Sequence, residues 1–327
     1  MKVIIPLAGK GTRLLPITKV VPKPLVRVAN RPVMDYVMDE VQNLDVEELL
    51  IITGHLKDKV EQHIRTRYPV PARFIEQKVQ DGTASAIDLA RPYVDGPVLI
   101  IFVDTLFDAD LGMIRRVDAD GIIWVKEVED YQRFGVVVTD ERGHMKKIVE
   151  KPSEPISKLA NIGLYYIRDW KTLFDGIAWT RQQPPHKGEY FLTDAFQYMV
   201  DHGKRLLAAP VGGWYDCGKV DTVLETNRHL LEHGHSRHPD VKPQVKIVDP
   251  VCIAEGVELE DCTVGPNVSI GSGTVIRKSV VRDSVIGEHS KVIDSTIEAS
   301  MIGDDTAISS RKLTGMIAQG TEVVKAP

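Results

Sequence analysis

A chain of 327 residues exceeds one typical domain, so two domains are expected. Hydrophobic residues at 43% and charged residues at 27% are ordinary for a soluble globular protein with a buried core. The net charge of −5 is spread in both signs along the chain and supplies no basic face for a nucleic acid.

The N-terminus, MKVIIPLAGKG, carries an apolar run too short for a signal peptide, and no later run approaches membrane-spanning length. Cys217, Cys252 and Cys262 form no CxxC pair and are odd in number, which fits a reducing compartment. A cytoplasmic protein with neither a membrane nor a nucleic acid as partner is expected.

Continuous β-branched runs at Val3–Leu7, Leu49–Thr53, Val98–Val103 and Ile122–Val125 read as buried strands. Between them Pro32–Leu44, Leu56–Tyr68, Thr83–Ala90 and Leu111–Val117 have helical spacing. This alternation predicts an α/β domain over residues 1–238, a Rossmann-like, mainly parallel sheet with helices on both faces. Ligands of such sheets bind beyond the carboxyl ends of the strands.

After a linker at 239–250 the pattern changes. Ile270-Gly271, Ile286-Gly287 and Ile302-Gly303 recur sixteen residues apart, with an aliphatic every five or six residues. A helix cannot gather that period on one face, whereas short strands around a triangular coil can. Residues 251–327 are therefore expected to form a left-handed parallel β-helix of hexapeptide repeats, about four coils long.

The first strand opens into PLAGKGTRLLPITKVVPKPLV, Pro6–Val26, rich in glycine and positive charge, with Arg27 one residue beyond. It lacks the third glycine of a dinucleotide fingerprint, since Leu14 stands there, and it is no P-loop. A phosphate cradle fits better. Gly9 and Gly11 let backbone N–H groups approach, Thr12 can donate, and Arg13 can chelate phosphate oxygens. Lys23, between Pro22 and Pro24, would present a second charge stiffly.

Ala8-Gly9-Lys10-Gly11-Thr12-Arg13-Leu14, Pro16, Thr18 and Pro22-Lys23-Pro24-Leu25 resemble the signature of sugar-1-phosphate nucleotidylyltransferases. Ala8 departs from it, standing where the signature has its first glycine. The resemblance continues to about residue 232. It implies that Gln77 and the Asp81-Gly82-Thr83-Ala84 segment read the nucleobase, and that Asp104, after Phe102-Val103, binds metal. Glu150 would hold sugar hydroxyls and Lys151 the sugar phosphate. Asn161-Ile162-Gly163 and the segment from Gly188-Glu189-Tyr190 to Asp194 resemble further sugar-binding segments, and Trp214-Tyr215-Asp216-Cys217-Gly218 the element with the second metal aspartate. With its appended β-helix the chain looks like the long form of glucose-1-phosphate thymidylyltransferases.

The chemistry is coherent with these residues. Two anionic reactants need positive groups, here Arg13, Lys23 and Lys151, and hard oxygen ligands for Mg²⁺, here Asp104 and Asp216. A sugar phosphate is already a nucleophile, so neither a protein base nor a covalent intermediate is required. The expected reaction joins a nucleoside triphosphate to a sugar 1-phosphate, with dTTP and glucose 1-phosphate favoured and UTP or GTP as alternatives. A catalytically silent regulatory subunit is a further alternative. The β-helix is expected to support a homo-oligomer or regulation. The cluster His229, His233, His235, His238 reads as a solvated helix end rather than a metal site.

Overall fold

The computed structural model describes residues 1–324 other than residue 187. The elements of the first two-thirds are β1 (Lys2–Pro6), α1 (Val33–Val41), β2 (Glu48–Thr53), α2 (Lys57–Arg67), β3 (Ala72–Glu76), α3 (Thr83–Asp88), β4 (Val98–Ile101) and β5 (Gly121–Glu127). They continue with β6 (Gly135–Thr139), β7 (Met145–Glu150), β8 (Leu159–Ile167), α4 (Trp170–Thr180), α5 (Leu192–Asp201), β9 (Leu206–Pro210) and α6 (Val220–Leu230). The expected strands and helices are present, with Leu111–Val117 reduced to one helical turn at Met113–Arg116.

The chain folds into two compact units, each discontinuous in sequence. One comprises Met1–Gly9 and Val37–Trp214, the other Lys10–Tyr36 and Tyr215–Pro327. This division differs from the linear boundary at 238, because residues 10–36 and α6 pack with the C-terminal coils.

In the first unit the sheet runs β7-β6-β8-β4-β1-β2-β3, with β5 on β8 and β9 beyond it. β1, β2, β3 and β4 are mutually parallel where they pair. Ile4, Leu50, Ile52 and Ile100 pack with Ile87, Phe174 and Phe196 from α3, α4 and α5. Val3, Ile5, Leu49, Ile51, Leu99 and Ile101, which alternate with them, are equally 0% exposed. Both faces are covered, and that is why these strands read as unbroken aliphatic runs.

β8 is antiparallel to β4, β5 and β6, and β7 is antiparallel to β6. The reversal has a use. An antiparallel strand brings its beginning to the edge where its parallel neighbour ends, so Gly163 of β8 meets Phe102 just past β4 (Phe102 N–H to Gly163 O, 2.8 Å). A register shift between Asn161 and Tyr165 marks the spot.

In the second unit, short parallel strands stack into the expected β-helix, one face being a five-stranded sheet. Val264, Ile270, Ile276, Val281, Ile286, Val292 and Ile297 fill its interior and are 0–1% exposed. The register follows the sixteen-residue repeat at Ile270↔Ile286 and Ile286↔Ile302. Buried hydroxyls reinforce it. Ser279, Ser284, Ser290 and Ser295 each accept the backbone N–H of the residue sixteen positions on, the partners being Ser295, Ser300, Thr306 and Arg311. No helix among the described residues is long and apolar enough to cross a membrane.

Candidate active site

In the first unit, three parallel strands release their chains at one edge. β1 leads to Ala8 and Gly9, β3 to Gln77, and β4 to Asp104. Ala8 is buried, and its carbonyl accepts from Gln80 Nε2 at 2.7 Å. Its methyl is accommodated by Gly54, where a Cβ would lie 2.9 Å from Ala8 Cβ. Gly9 is exposed, and an added Cβ there would meet nothing within 4 Å. Packing therefore does not demand glycine at 9.

Gln77 is buried, its N–H donating to Thr53 O at 2.8 Å and its Nε2 to Gly82 O at 3.4 Å. Gly82 has φ 125° and ψ 174°, and a Cβ there would lie 2.3 Å from Tyr190 O. Tyr190 N–H donates to Asp81 O (2.8 Å) and Tyr190 O accepts from Ala84 N–H (2.9 Å). The two segments assigned to base and sugar are thus laced together by backbone. Glu189 itself is exposed.

A second cluster converges on Gly135. A Cβ there would lie 2.3 Å from Asn161 Nδ2, 2.8 Å from Glu150 Oε2 and 2.9 Å from Thr193 Cγ2. Asn161 Nδ2 donates to Gly135 O (2.7 Å), Thr193 Oγ1 donates to Glu150 Oε2 (3.2 Å), and the Tyr165 hydroxyl donates to Asn161 Oδ1. Lys151 has φ 44°, a left-handed conformation costly for a lysine. Its Nζ lies 3.7 Å from Glu150 Oε1 and 4.8 Å from the Phe191 ring centroid.

Burial pushes the Glu150 carboxyl above the ordinary glutamate range, against the opposing pull of Lys151. Burial likewise pushes the Tyr165 phenol up, and the charges of Glu150 and Asp104 add to that. Gly163, at φ 79°, leaves no room for a side chain, since a Cβ would sit 2.9 Å from Phe102 Cβ. Asp104 is half-buried. Trp214 packs edge-on to Phe134 at 4.9 Å, and its buried Nε1 has no protein partner among the described residues.

In the second unit, Gly11 adopts φ 64° and its carbonyl accepts from Thr18 Oγ1 at 2.8 Å. Thr12 and Arg13 are exposed on a single 3₁₀ turn anchored by the buried Leu14. Lys23 opens another such turn, and its Cβ would lie 3.2 Å from a Cβ on Gly11. The Asp216 carboxylate accepts from Gly218 N–H (2.8 Å) and Thr222 Oγ1 (3.2 Å). A Cβ at Gly218 would lie 2.8 Å from Asp216 Oδ1 and 3.1 Å from Arg13 Nη2, so these two charged groups flank that glycine.

Arg27 pairs with Glu288 (3.1 Å) and Asp304 (3.3 Å) on the β-helix. His229 and His233, at helical spacing, stack face to face (4.0 Å) with Tyr215 on His229 (3.9 Å). Gln80, Gly135 and Tyr165 did not emerge from the sequence reading, whereas Phe191 and Thr193 lie inside the segment from Gly188 to Asp194 that resembled a sugar-binding element.

A sheet whose parallel strands end in a glycine-rich loop and a half-buried aspartate, beside a carboxylate–amide–hydroxyl cluster with a lysine, is the frame of a transferase acting on phosphorylated sugars. The family model for nucleotidyl transferase matches residues 2–233, and the chain belongs to that family. It is a sugar-1-phosphate nucleotidyltransferase. Among its relatives, the Bifunctional protein GlmU of Methanococcus aeolicus is 31% identical over 96% of this chain and 80% of its own. The glucose-1-phosphate thymidylyltransferase of Streptomyces griseus is 28% identical over 100% of this chain and 94% of its own. A solved UDP-glucose pyrophosphorylase complexed with UDP-glucose matches with a TM-score of 0.64 at 26% identity, covering 71% of this chain and 98% of that one.

Proposed function

We propose that the protein joins dTTP to glucose 1-phosphate, releasing pyrophosphate. The observation that carries the sugar half is the convergence of Glu150, Asn161 and Thr193 on Gly135 beside Lys151. Two acceptors and two donors on a floor with no side chain suit a polyhydroxy ring, and the lysine suits its phosphate. The full-length match to a thymidylyltransferase favours thymine and glucose.

In this reading Arg13 and Lys23 hold the triphosphate, and the backbone at Ala8, Gly9, Gly11 and Thr12 cradles it. Gln77 and Gly82 face the base. Glu150, Asn161, Gly163 and Glu189 serve the sugar, and Lys151 its phosphate. The sugar-phosphate oxygen attacks the α-phosphorus while the bond to pyrophosphate breaks, so both electron pairs are accounted for without a protein base. Catalysis then rests on alignment and on charge placed where the leaving pyrophosphate gains it.

Asp104 and Asp216 are hard oxygen donors of the kind Mg²⁺ takes. Mg²⁺ commonly keeps several waters and substrate phosphate oxygens as its other ligands. Such an ion, when bound, offsets triphosphate charge.

UTP is the second reading, favoured by the similarity to a UDP-glucose pyrophosphorylase. Pyrophosphate release with Mg²⁺ across dTTP, UTP, GTP, CTP and ATP, against glucose, mannose, galactose and N-acetylglucosamine 1-phosphates, tests both. Dominance of dTTP with glucose 1-phosphate is expected. Dominance of UTP moves the assignment to the second reading, and silence from folded protein overturns it.

A further inference from the structure

The glycine-rich loop belongs to the same compact unit as the β-helix, and one residue joins them. Asn227 on α6 is 0% exposed, so its amide needs partners. Its Oδ1 accepts from Ala29 N–H (2.9 Å) and Ser269 Oγ (2.6 Å), and its Nδ2 donates to Asn267 O (3.3 Å). Ala29 and Asn30, at φ 46° and 62°, turn the small hairpin that follows Lys23–Leu25, pairing Arg27–Val28 with Arg31–Pro32. Two successive left-handed residues, one of them alanine, hold only where the surroundings impose them.

Those surroundings are the β-helix. Asn30 Nδ2 donates to Cys252 O and Ile270 O, both at 2.8 Å, in the neighbouring strands Val251–Ile253 and Val268–Ile270. Earlier on α6, Thr222 Oγ1 donates to Asp216 Oδ2, and Thr226 Oγ1, one residue before Asn227, donates to Asp216 O. The helix that grips the Asp216 carboxylate at Thr222 and its backbone carbonyl at Thr226 therefore also grips, at Asn227, the loop and the coils.

We propose that Asn227 is a positioning residue for the nucleotide half of the reaction. It ties the loop bearing Arg13 and Lys23, and the Asp216 carboxylate, to a common support in the first coils of the β-helix. The proposal rests on the nucleotidyl-transfer reading of those residues. The β-helix is in this sense part of the phosphate site's foundation.

The test compares full-length wild type with Asn227→Ala. Misplacing the loop should lower kcat/KM for the nucleoside triphosphate by about tenfold to hundredfold, with KM for the sugar 1-phosphate held within about twofold. Amide hydrogen exchange should rise across residues 10–26 while the coils at 268–302 keep their protection. Ser269→Ala, which removes one hydroxyl and leaves the Ala29 bond, should shift the same quantities less, and carries the comparison if Asn227→Ala fails to fold. A lowered melting temperature with kcat and both KM values unchanged, or unaltered exchange at 10–26, overturns the proposal. A wild type inactive on every substrate pair would sink the reaction assignment alone, because the exchange comparison decides the linkage by itself.

Discussion

Gly135→Ala separates the sugar cluster from the fold that carries it. Gly135 is not left-handed, so its backbone accepts alanine. The new methyl would lie 2.3 Å from Asn161 Nδ2, 2.8 Å from Glu150 Oε2 and 2.9 Å from Thr193 Cγ2. All three are side-chain ends, which can swing aside. The Asn161–Gly135 and Thr193–Glu150 hydrogen bonds are what that movement disrupts. A neutral bond contributes about 0.5–1.5 kcal/mol and one to a carboxylate about 1.5–3 kcal/mol, roughly 2–4.5 kcal/mol together.

Restoring the arrangement around substrate then falls on the transition state, a loss of roughly 30- to 2000-fold in kcat/KM. The fold should lose no more than those two bonds, about 2–4.5 kcal/mol, because the strands around Gly135 keep their pairing. Pyrophosphate release with the sugar phosphate varied at saturating triphosphate measures the first, and thermal unfolding the second. Unchanged kcat/KM, or a loss confined to the KM for triphosphate, would refute the placement of the sugar at Gly135.

Gly82→Ala should do the reverse and damage the fold. Its φ and ψ lie in a region open to glycine alone, worth about 1–3 kcal/mol of strain, and its Cβ would strike Tyr190 backbone. Loss of the two adjoining backbone bonds, about 0.5–1.5 kcal/mol each, brings the expected destabilisation to roughly 2–6 kcal/mol. A urea-unfolding shift below about 1 kcal/mol would contradict this. Glu150→Gln should stabilise the protein while raising KM for the sugar phosphate. The folded-state pKa of Glu150 is raised by burial, so its favourable contribution is present below the ordinary value of 4.5 and is lost as pH climbs through the raised one. The variant should therefore melt higher than wild type near pH 8 and converge with it near pH 4, and equal melting temperatures at about pH 8 would argue against a buried charge there.

The parallel core was legible because strands covered on both faces must be aliphatic at every position, as Val3-Ile4-Ile5 and Leu49–Ile52 are. The coils were legible because a sixteen-residue repeat admits few solutions. β6, β7 and β8 were not, since their pairing depends on partners far along the chain. Gly135 carries no local sign of its role, for the three side chains crowding it come from positions 150, 161 and 193. Arg27 was noted only as one more basic residue just beyond the loop, and only the fold reveals Glu288 and Asp304 beside it. The two units are discontinuous for the same reason, with partners more than two hundred residues apart.

The bond from Asn30 to Cys252 spans 222 residues. On a ribosome adding about 5–20 residues per second, the loop emerges roughly 10–45 s before its anchor exists. During that interval the nascent chain can build its parallel strands, but the glycine-rich loop has no β-helix to rest against. The part of the protein made first is thus the part whose anchoring bonds form last.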